Sequence, residues 1–260
     1  MNPLRGLACG AVLLLAACAP APPVLPSGSG SPFAGFGAAY DEAVQECRSA
    51  RSVLAELGLS GRAGETRLRG RINAGLSAPS NIRLEGVAFG RPIFILAGRD
   101  GRATLLMVRE NQVVRDAPPE AIVEALTGVP LTPSELVAAV AGCGLGTGTS
   151  SNGRTFNEEW AAADVGGGVT YLRRVEGRWR VGAAVRDDVR VLYGDFTRGL
   201  PATVHVKTGS IADITLRVSQ LEINTTIDDK AFEVDVPPDA LPLTLEQLRR
   251  AGPLGEGARN

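Results

Sequence analysis

Apolar residues recur at every second position through most of this 260-residue chain, and that period restricts the fold more than any other feature. In RLRGRINAGL, residues 67–76, Leu68, Gly70, Ile72, Ala74 and Leu76 share one face. Arg67, Arg69, Arg71 and Asn73 share the other, which describes a strand with one wet side. SAPSN turns the chain, and IRLEGVAF places Ile82, Leu84, Gly86 and Ala88 on one face of a second strand. PIFILAG and ATLLMVR follow around the turn RDGR. Both are apolar on each face, so the sheet needs cover on both sides there, expected from the first helix on one and a cavity on the other. After a Gly-rich loop the period returns in VTYLRRV, RWRVGAAVR, VRVLYGDF, ATVHVKT and ITLRVSQLEI, with VEGR and RDD as turns. The count is about nine strands, and their hairpin-length connections make the sheet antiparallel and curved.

Three segments carry the helical period instead. Tyr40, Ala43, Val44, Cys47, Ala50, Leu54 and Leu57 follow 3- and 4-residue spacing, predicting a helix over 40–57 that Gly58 ends. Pro118 and Pro119 open PPEAIVEALTG, with Gly128 as its stop. Thr132, Pro133 and Glu135 form a T-x-x-E capping box for PSELVAAVAG. The fold class is therefore α+β: an antiparallel sheet with a helix before it and a helical pair inserted after the fourth or fifth strand.

The N-terminus sets the address. Arg5 precedes an apolar run from Leu7 to Ala17. Eleven helical residues reach about 16 Å, half of a ~30 Å hydrocarbon core, so the run reads as a secretory signal and not as a span. Leu15, Ala16, Ala17 and Cys18 resemble the bacterial lipobox. That resemblance implies cleavage after residue 17 and acylation of Cys18, a stable anchor in membrane lipid. In that class an aspartate after the cysteine retains the protein at the inner membrane; Ala19 here implies the outer membrane. An ordinary cleaved signal would leave Cys18 incidental. Residues 19–32, APAPPVLPSGSGSP, are a Pro/Gly/Ser tether, and 33–260 are long enough for one sizeable core. With Cys9 removed and Cys18 lipidated, Cys47 and Cys143 remain. An oxidising compartment favours one disulfide between them over two buried thiols.

The order of elements resembles the LolA/LolB superfamily, in which an incomplete antiparallel barrel carries helices as a lid over its mouth. The segment from Val87 to Gly144 is similar to LolB in an apolar-Gly turn at Phe89 and Gly90, paired apolar strands, and LTGVPL at 126–131. IDDKAFEVDVPPDA, residues 227–240, is closer to the carrier LolA. The resemblance implies a dry cavity for acyl chains or lipoprotein cargo, delivered by a LolA-type periplasmic carrier. Its expected lining is Leu68, Ile72, Leu84, Ile93, Ile95, Leu105 and Met107, with Leu126, Leu136 and Val140 on the lid. It also implies that Phe89 and Gly90 form a membrane-insertion loop; otherwise Phe89 begins a strand and packs inward. Ala78 before Pro79, the cysteine pair and GLGTGTSSNG depart from the family pattern.

Other chemistry finds little support. Charges nearly balance, with 27 basic and 28 acidic residues, so no nucleic-acid partner is expected. The single histidine, His205, excludes histidine-rich metal sites and is the sole imidazole available to a catalytic triad. The carboxylate pairs Glu158/Glu159, Asp187/Asp188 and Asp228/Asp229 fall where turns are expected. GCGLGTGTSSNG lacks the Lys-Ser/Thr of a phosphate-binding loop, and the row Arg67, Arg69, Arg71 reads as a solvated outer face before it reads as a headgroup site. The expectation is a non-enzymatic lipid or lipoprotein binder with no cofactor; the rival is a structural or assembly lipoprotein of the envelope.

Overall fold

A computed structural model describes residues 22–146, 148–150 and 152–251. The signal segment and Cys18 lie outside the described residues. The chain begins with β1 (Ser31–Phe33) and α1 (Phe36–Val44), then runs through β2 (Ser52–Ala63), β3 (Thr66–Ser77), β4 (Asn81–Ala88), β5 (Arg91–Arg99), β6 (Arg102–Met107) and β7 (Gln112–Ala117). The helical pair α2 (Pro119–Thr127) and α3 (Pro133–Ala141) follows. Then come β8 (Gly153–Phe156), β9 (Trp160–Val165), β10 (Gly168–Val175), β11 (Arg178–Arg186), β12 (Val189–Thr197), β13 (Leu200–Thr208) and β14 (Ala212–Ile223). A 3-10 turn (Asp229–Phe232), β15 (Leu241–Pro242) and α4 (Leu245–Ala251) complete it.

Among the described residues fifteen strands join one open sheet in the order β1-β8-β9-β10-β11-β12-β13-β14-β2-β3-β4-β5-β6-β7-β15. Every pairing is antiparallel except β15 with β7. Closure of β14 on β2 brings the two halves of the chain together, with Ala212 opposite Ala63 and Ile223 opposite Val53. This register aligns the inward residues of β13 and β14 with those of β2 and β3, and the main core lies on that inner face.

Several expectations change. The sheet has fifteen strands, not about nine, and the helical pair follows the seventh strand in the chain. The helix predicted over 40–57 is two elements: α1 ends at Val44, and Ser52 already begins β2. Val53, Ala55, Leu57 and Leu59 of β2 all point inward, while Leu54 sits half-buried on the other side. The three-residue step from Leu54 to Leu57 imitates a helical face only because both sides of this strand carry leucine.

The first helix also covers a different place. α1 packs on β8, β9, β10 and β11, leaving the outer side of β4 and β5 to the 3-10 turn. Arg83, on the outward side of β4, donates from Nη1 to the carbonyls of Ala231 and Glu233, both at 2.9 Å. Phe232 between them is buried. The C-terminal segment thus supplies the cover that the doubly apolar β5 requires. Ser31 and Pro32, at the end of the expected tether, pair with Thr155 and Arg154 in β8.

Candidate ligand cavity and its lid

The inner face of the sheet and the helical pair enclose a cavity of about 100 Å³. Its floor is Leu57 and Leu59 of β2, Leu68, Ile72, Ala74 and Leu76 of β3, Leu84 of β4 and Phe94 of β5. Val206 of β13 with Ile214 and Leu216 of β14 form one wall. The roof is Val123, Leu126 and Thr127 of α2, Val129 and Leu131 of the connection, and Leu136 and Val140 of α3. Thr127 alone carries a polar side chain, and its hydroxyl is turned to its own helix, donating to the Val123 carbonyl at 2.7 Å. Gly86 of β4, paired with Phe94, leaves the space that the Phe94 ring occupies.

Of the expected lining, Leu68, Ile72, Leu84, Leu126, Leu136 and Val140 lie on the cavity wall. Leu105 and Met107 face the interior but are packed in the core beside the cavity. Ile93 sits in a bulge where β5 shifts register against β4, and packs against the core without reaching the cavity. Ile95 pairs with Glu85 and Leu106 on the outer row, the opposite face from Phe94 and Leu96. A strand apolar on both sides gives no sequence signal for which side is inward. Val206, Ile214 and Leu216 were absent from the expected set, although ATVHVKT and ITLRVSQ carry the alternation that would have found them.

The roof is held unequally. The capping box exists: the Thr132 N–H donates to Glu135 Oε2 at 2.8 Å, and the Glu135 N–H to Thr132 Oγ1 at 3.3 Å. Burial pushes the Glu135 carboxyl up. The Thr132 N–H, the Arg186 guanidinium and the Thr132 hydroxyl outweigh it and hold the group below its ordinary value. At the other end of α3, Cys143 is joined to Cys47 with a Cα–Cα distance of 5.6 Å. Tyr193, fully buried on β12, donates from its hydroxyl to the Ala139 carbonyl at 2.8 Å and accepts from the Gly144 N–H at 3.0 Å. Burial raises the Tyr193 phenol far above its usual range, so it remains a donor. α3 is therefore pinned at both ends. Among the described residues α2 has no disulfide or buried side-chain hydrogen bond to the sheet: it is held by its buried apolar face, Ile122, Val123 and Leu126, by Glu124 to Arg249 of α4 at 3.4 Å and by Ile211 against Gly128.

Phe89 and Gly90 are the two residues between the paired Ala88 and Arg91, with φ of 51° and 75°. A two-residue hairpin of this kind suits Asn-Gly. Phe89 is 99% exposed and does not pack inward.

His205 lies on the outer face, away from the cavity. Its Nε2 meets Asp213 Oδ1 at 2.7 Å and its Nδ1 meets Thr215 Oγ1 at 3.3 Å. That connectivity matches an acid–imidazole–hydroxyl relay, but it spans adjacent strands whose backbone N–H groups are engaged in the ladder and form no oxyanion pair. Partial burial raises Asp213; Lys207 and His205 outweigh it and hold the carboxylate low. The pairs Glu158/Glu159 and Asp187/Asp188 sit in hairpin connections, and Asp228 caps the 3-10 turn that Asp229 begins. Among the described residues no group of three metal-ligating side chains converges, and no helix is long and apolar enough to cross a membrane.

Fold and site define an open antiparallel sheet with an apolar cavity beneath a two-helix lid. No protein-family model matches the chain, and no curated protein matches it by sequence. Similar solved structures include a LolA superfamily protein from Nitrosomonas europaea, 12% identical, with 75% of this chain and 94% of that chain covered and a TM-score of 0.46. A domain assigned to outer membrane lipoprotein sorting in Vibrio parahaemolyticus is 11% identical, with 77% and 97% covered and a TM-score of 0.41. A DUF1329 family protein from Desulfovibrio piger is 13% identical, with 75% and 96% covered and a TM-score of 0.40.

Proposed function

We propose that this protein is a non-enzymatic, lipid-anchored envelope protein that takes acyl chains, free or on a lipoprotein, into the cavity beneath the α2–α3 lid. The observation that carries the reading is the composition of that cavity: seventeen of its eighteen lining residues are apolar, and the eighteenth directs its hydroxyl elsewhere. Each methylene moved from water into such a space gains about 0.8 kcal/mol, with no polar group inside to satisfy. At about 100 Å³ the cavity is smaller than the ~150 Å³ that accepts benzene, so an acyl chain requires the lid to lift. Because the disulfide and the Tyr193 hydroxyl hold α3, α2 is the moving part in this reading.

Within this reading Cys18 is acylated, the domain faces the periplasm from the outer membrane, and a LolA-type carrier supplies the cargo. Phe89 then has a role as an apolar tip that enters the bilayer during release. Mass spectrometry of lipid co-purifying with a chain lacking residues 1–18 tests the cavity; a ligand-free protein that takes up no added fatty acid sinks it. Presenting the same protein with a lipoprotein-loaded carrier tests the transfer step, which Phe89→Glu should abolish.

A second reading, a structural or assembly lipoprotein on the same fold, draws on the small closed volume and on α3 being pinned at both ends. A collapsed, empty interior with full envelope function favours it.

A further inference from the structure

We propose that the trough on the outer face of β13, β14, β2 and β3 binds the phosphate of an anionic lipid headgroup and sets which side of the domain lies against the bilayer. The orientation rests on the lipid-anchored reading above; the phosphate site does not.

The trough has a volume of about 590 Å³ and is lined by Arg69, Arg217, Ser60, Thr203, Thr215 and His205 among others. No carboxylate among the described residues lines it. Among the described residues neither guanidinium has an ion-pair partner within 4.0 Å. The acids flanking the trough are already engaged: Asp213 by Lys207 Nζ at 2.9 Å and His205 Nε2 at 2.7 Å, and Glu56, two positions along β2 from Gly58, by Arg71 Nη1 at 3.2 Å. What remains directed outward is a set of donors suited to phosphate oxygens.

The floor gives an independent argument. Gly58 and Gly194 occupy outward positions in the row Gly194–Thr203–Arg217–Gly58–Arg71. Neither has positive φ, and a Cβ on either would meet nothing nearer than 3.7 Å. No backbone demand keeps them as glycine, and glycine inside a strand weakens it. An open floor beneath two unpaired arginines is what a bound headgroup requires.

The surrounding charges fit the same partner. One row across five strands reads Arg190, Lys207, Asp213, Arg62, Arg67, with Arg190 opposite Lys207 and Arg62 opposite Arg67. Like charges directly opposite destabilise a sheet, so two such pairs on one face of a chain with net charge −1 are explained by an external anion. Pro22 also lines the trough, four residues after Cys18. At about 3.5 Å per residue an acylated Cys18 would lie within roughly 14 Å of the site, which places it beside the headgroup layer.

The test uses the full chain with Cys18→Ala, which removes the acylation site, sedimented with vesicles of phosphatidylcholine alone or with phosphatidylglycerol added. Binding should favour the anionic vesicles and fall about fivefold for each of Arg69→Gln and Arg217→Gln. The control pair Arg102→Gln and Arg178→Gln, in exposed hairpins at the other end of the sheet, should retain it. Gly58→Val with Gly194→Val should also lose binding without losing stability, because it fills the floor at constant charge. In parallel, inorganic phosphate and short-chain phosphatidylglycerol are titrated while the imidazole resonances of His205, the sole histidine, are followed. Equal binding to both vesicle types, an equal loss in the control pair, or saturation by inorganic phosphate alone overturns the headgroup site. Absence of acyl cargo in the cavity, read by mass spectrometry, sinks the function above and leaves this vesicle result standing.

Discussion

Phe89 occupies a backbone position where asparagine or glycine would cost least. With φ of 51° its Cβ crowds the following carbonyl, and its ring makes up no deficit because it is 99% exposed. A residue strained and solvent-facing at once is being kept for something other than folding stability. Phe89→Asn should therefore stabilise the protein by about 1 kcal/mol, raising Tm by about 2–4 °C in a domain of this size. Vesicle insertion should fall in the same variant. A Tm unchanged or lowered, read by circular dichroism, shows that the ring packs in solution and removes the argument from strain.

At the scale of elements, α3 shows how acid should loosen the lid. The Glu135 carboxylate is held below its ordinary 4.5, so its contribution is complete above that value and disappears as pH falls through the lower folded-state value. Glu135→Gln keeps the capping-box hydrogen bond but loses the charge at the helix N-terminus and the ion pair with Arg186. It should cost about 0.3–1 kcal/mol at pH 7, with the difference from the native chain shrinking as pH falls through that lower value. Urea midpoints at pH 7 and pH 3 measure it; a constant difference across that range dismisses the ionised cap. The far end of α3 depends on the bridge. Cys47→Ala with Cys143→Ala opens a constraint spanning 96 positions, which the chain-entropy account values at about 4–5 kcal/mol. Faster amide exchange in α3 and faster acyl uptake should accompany the lost stability. Unchanged exchange would mean that Tyr193 alone fixes that end.

Legibility followed from how each element is covered. β3 was readable because one side meets water and the other does not, so Leu68 and Ile72 were placed from alternation alone. Leu84 of β4 was placed the same way because Arg83 and Glu85 mark the other side as polar, although the 3-10 turn covers it. α3 was readable because Thr132, Pro133 and Glu135 are local instructions. β5 was not readable: the cover over its outer side comes from Phe232, more than 130 positions along the chain, and alternation cannot see it. β1, β8 and β15 are 2–4 residues long and have no period to detect. β2 failed for a different reason, since Leu54 on its outward side completes a false helical face. The trough was half legible: Arg67, Arg69 and Arg71 stood out as a row, whereas Arg62, Lys207, Arg190 and Arg217 join it only through strand register.

For the whole molecule the deciding question is whether the 100 Å³ cavity is a packing defect or a reserved volume. Ala74 separates the two. It lies on the cavity floor between buried Ala55 and half-buried Leu84, where a larger side chain would point at the lid. Ala74→Leu adds three carbons to the void, and at about 0.8 kcal/mol per methylene should stabilise the empty protein by roughly 2 kcal/mol. A defect filled in this way improves stability at no functional cost. A reserved volume, once filled, loses its ligand: co-purified acyl chains should disappear, and added fatty acid should no longer raise Tm, because binding to the folded state is the source of that rise. Natural proteins commonly leave gains of this size unused, so the stability change alone does not separate the two cases and the binding readout decides. The expected pairing is a more stable protein that no longer binds; stability gained with acyl binding intact would make the cavity an accident of packing.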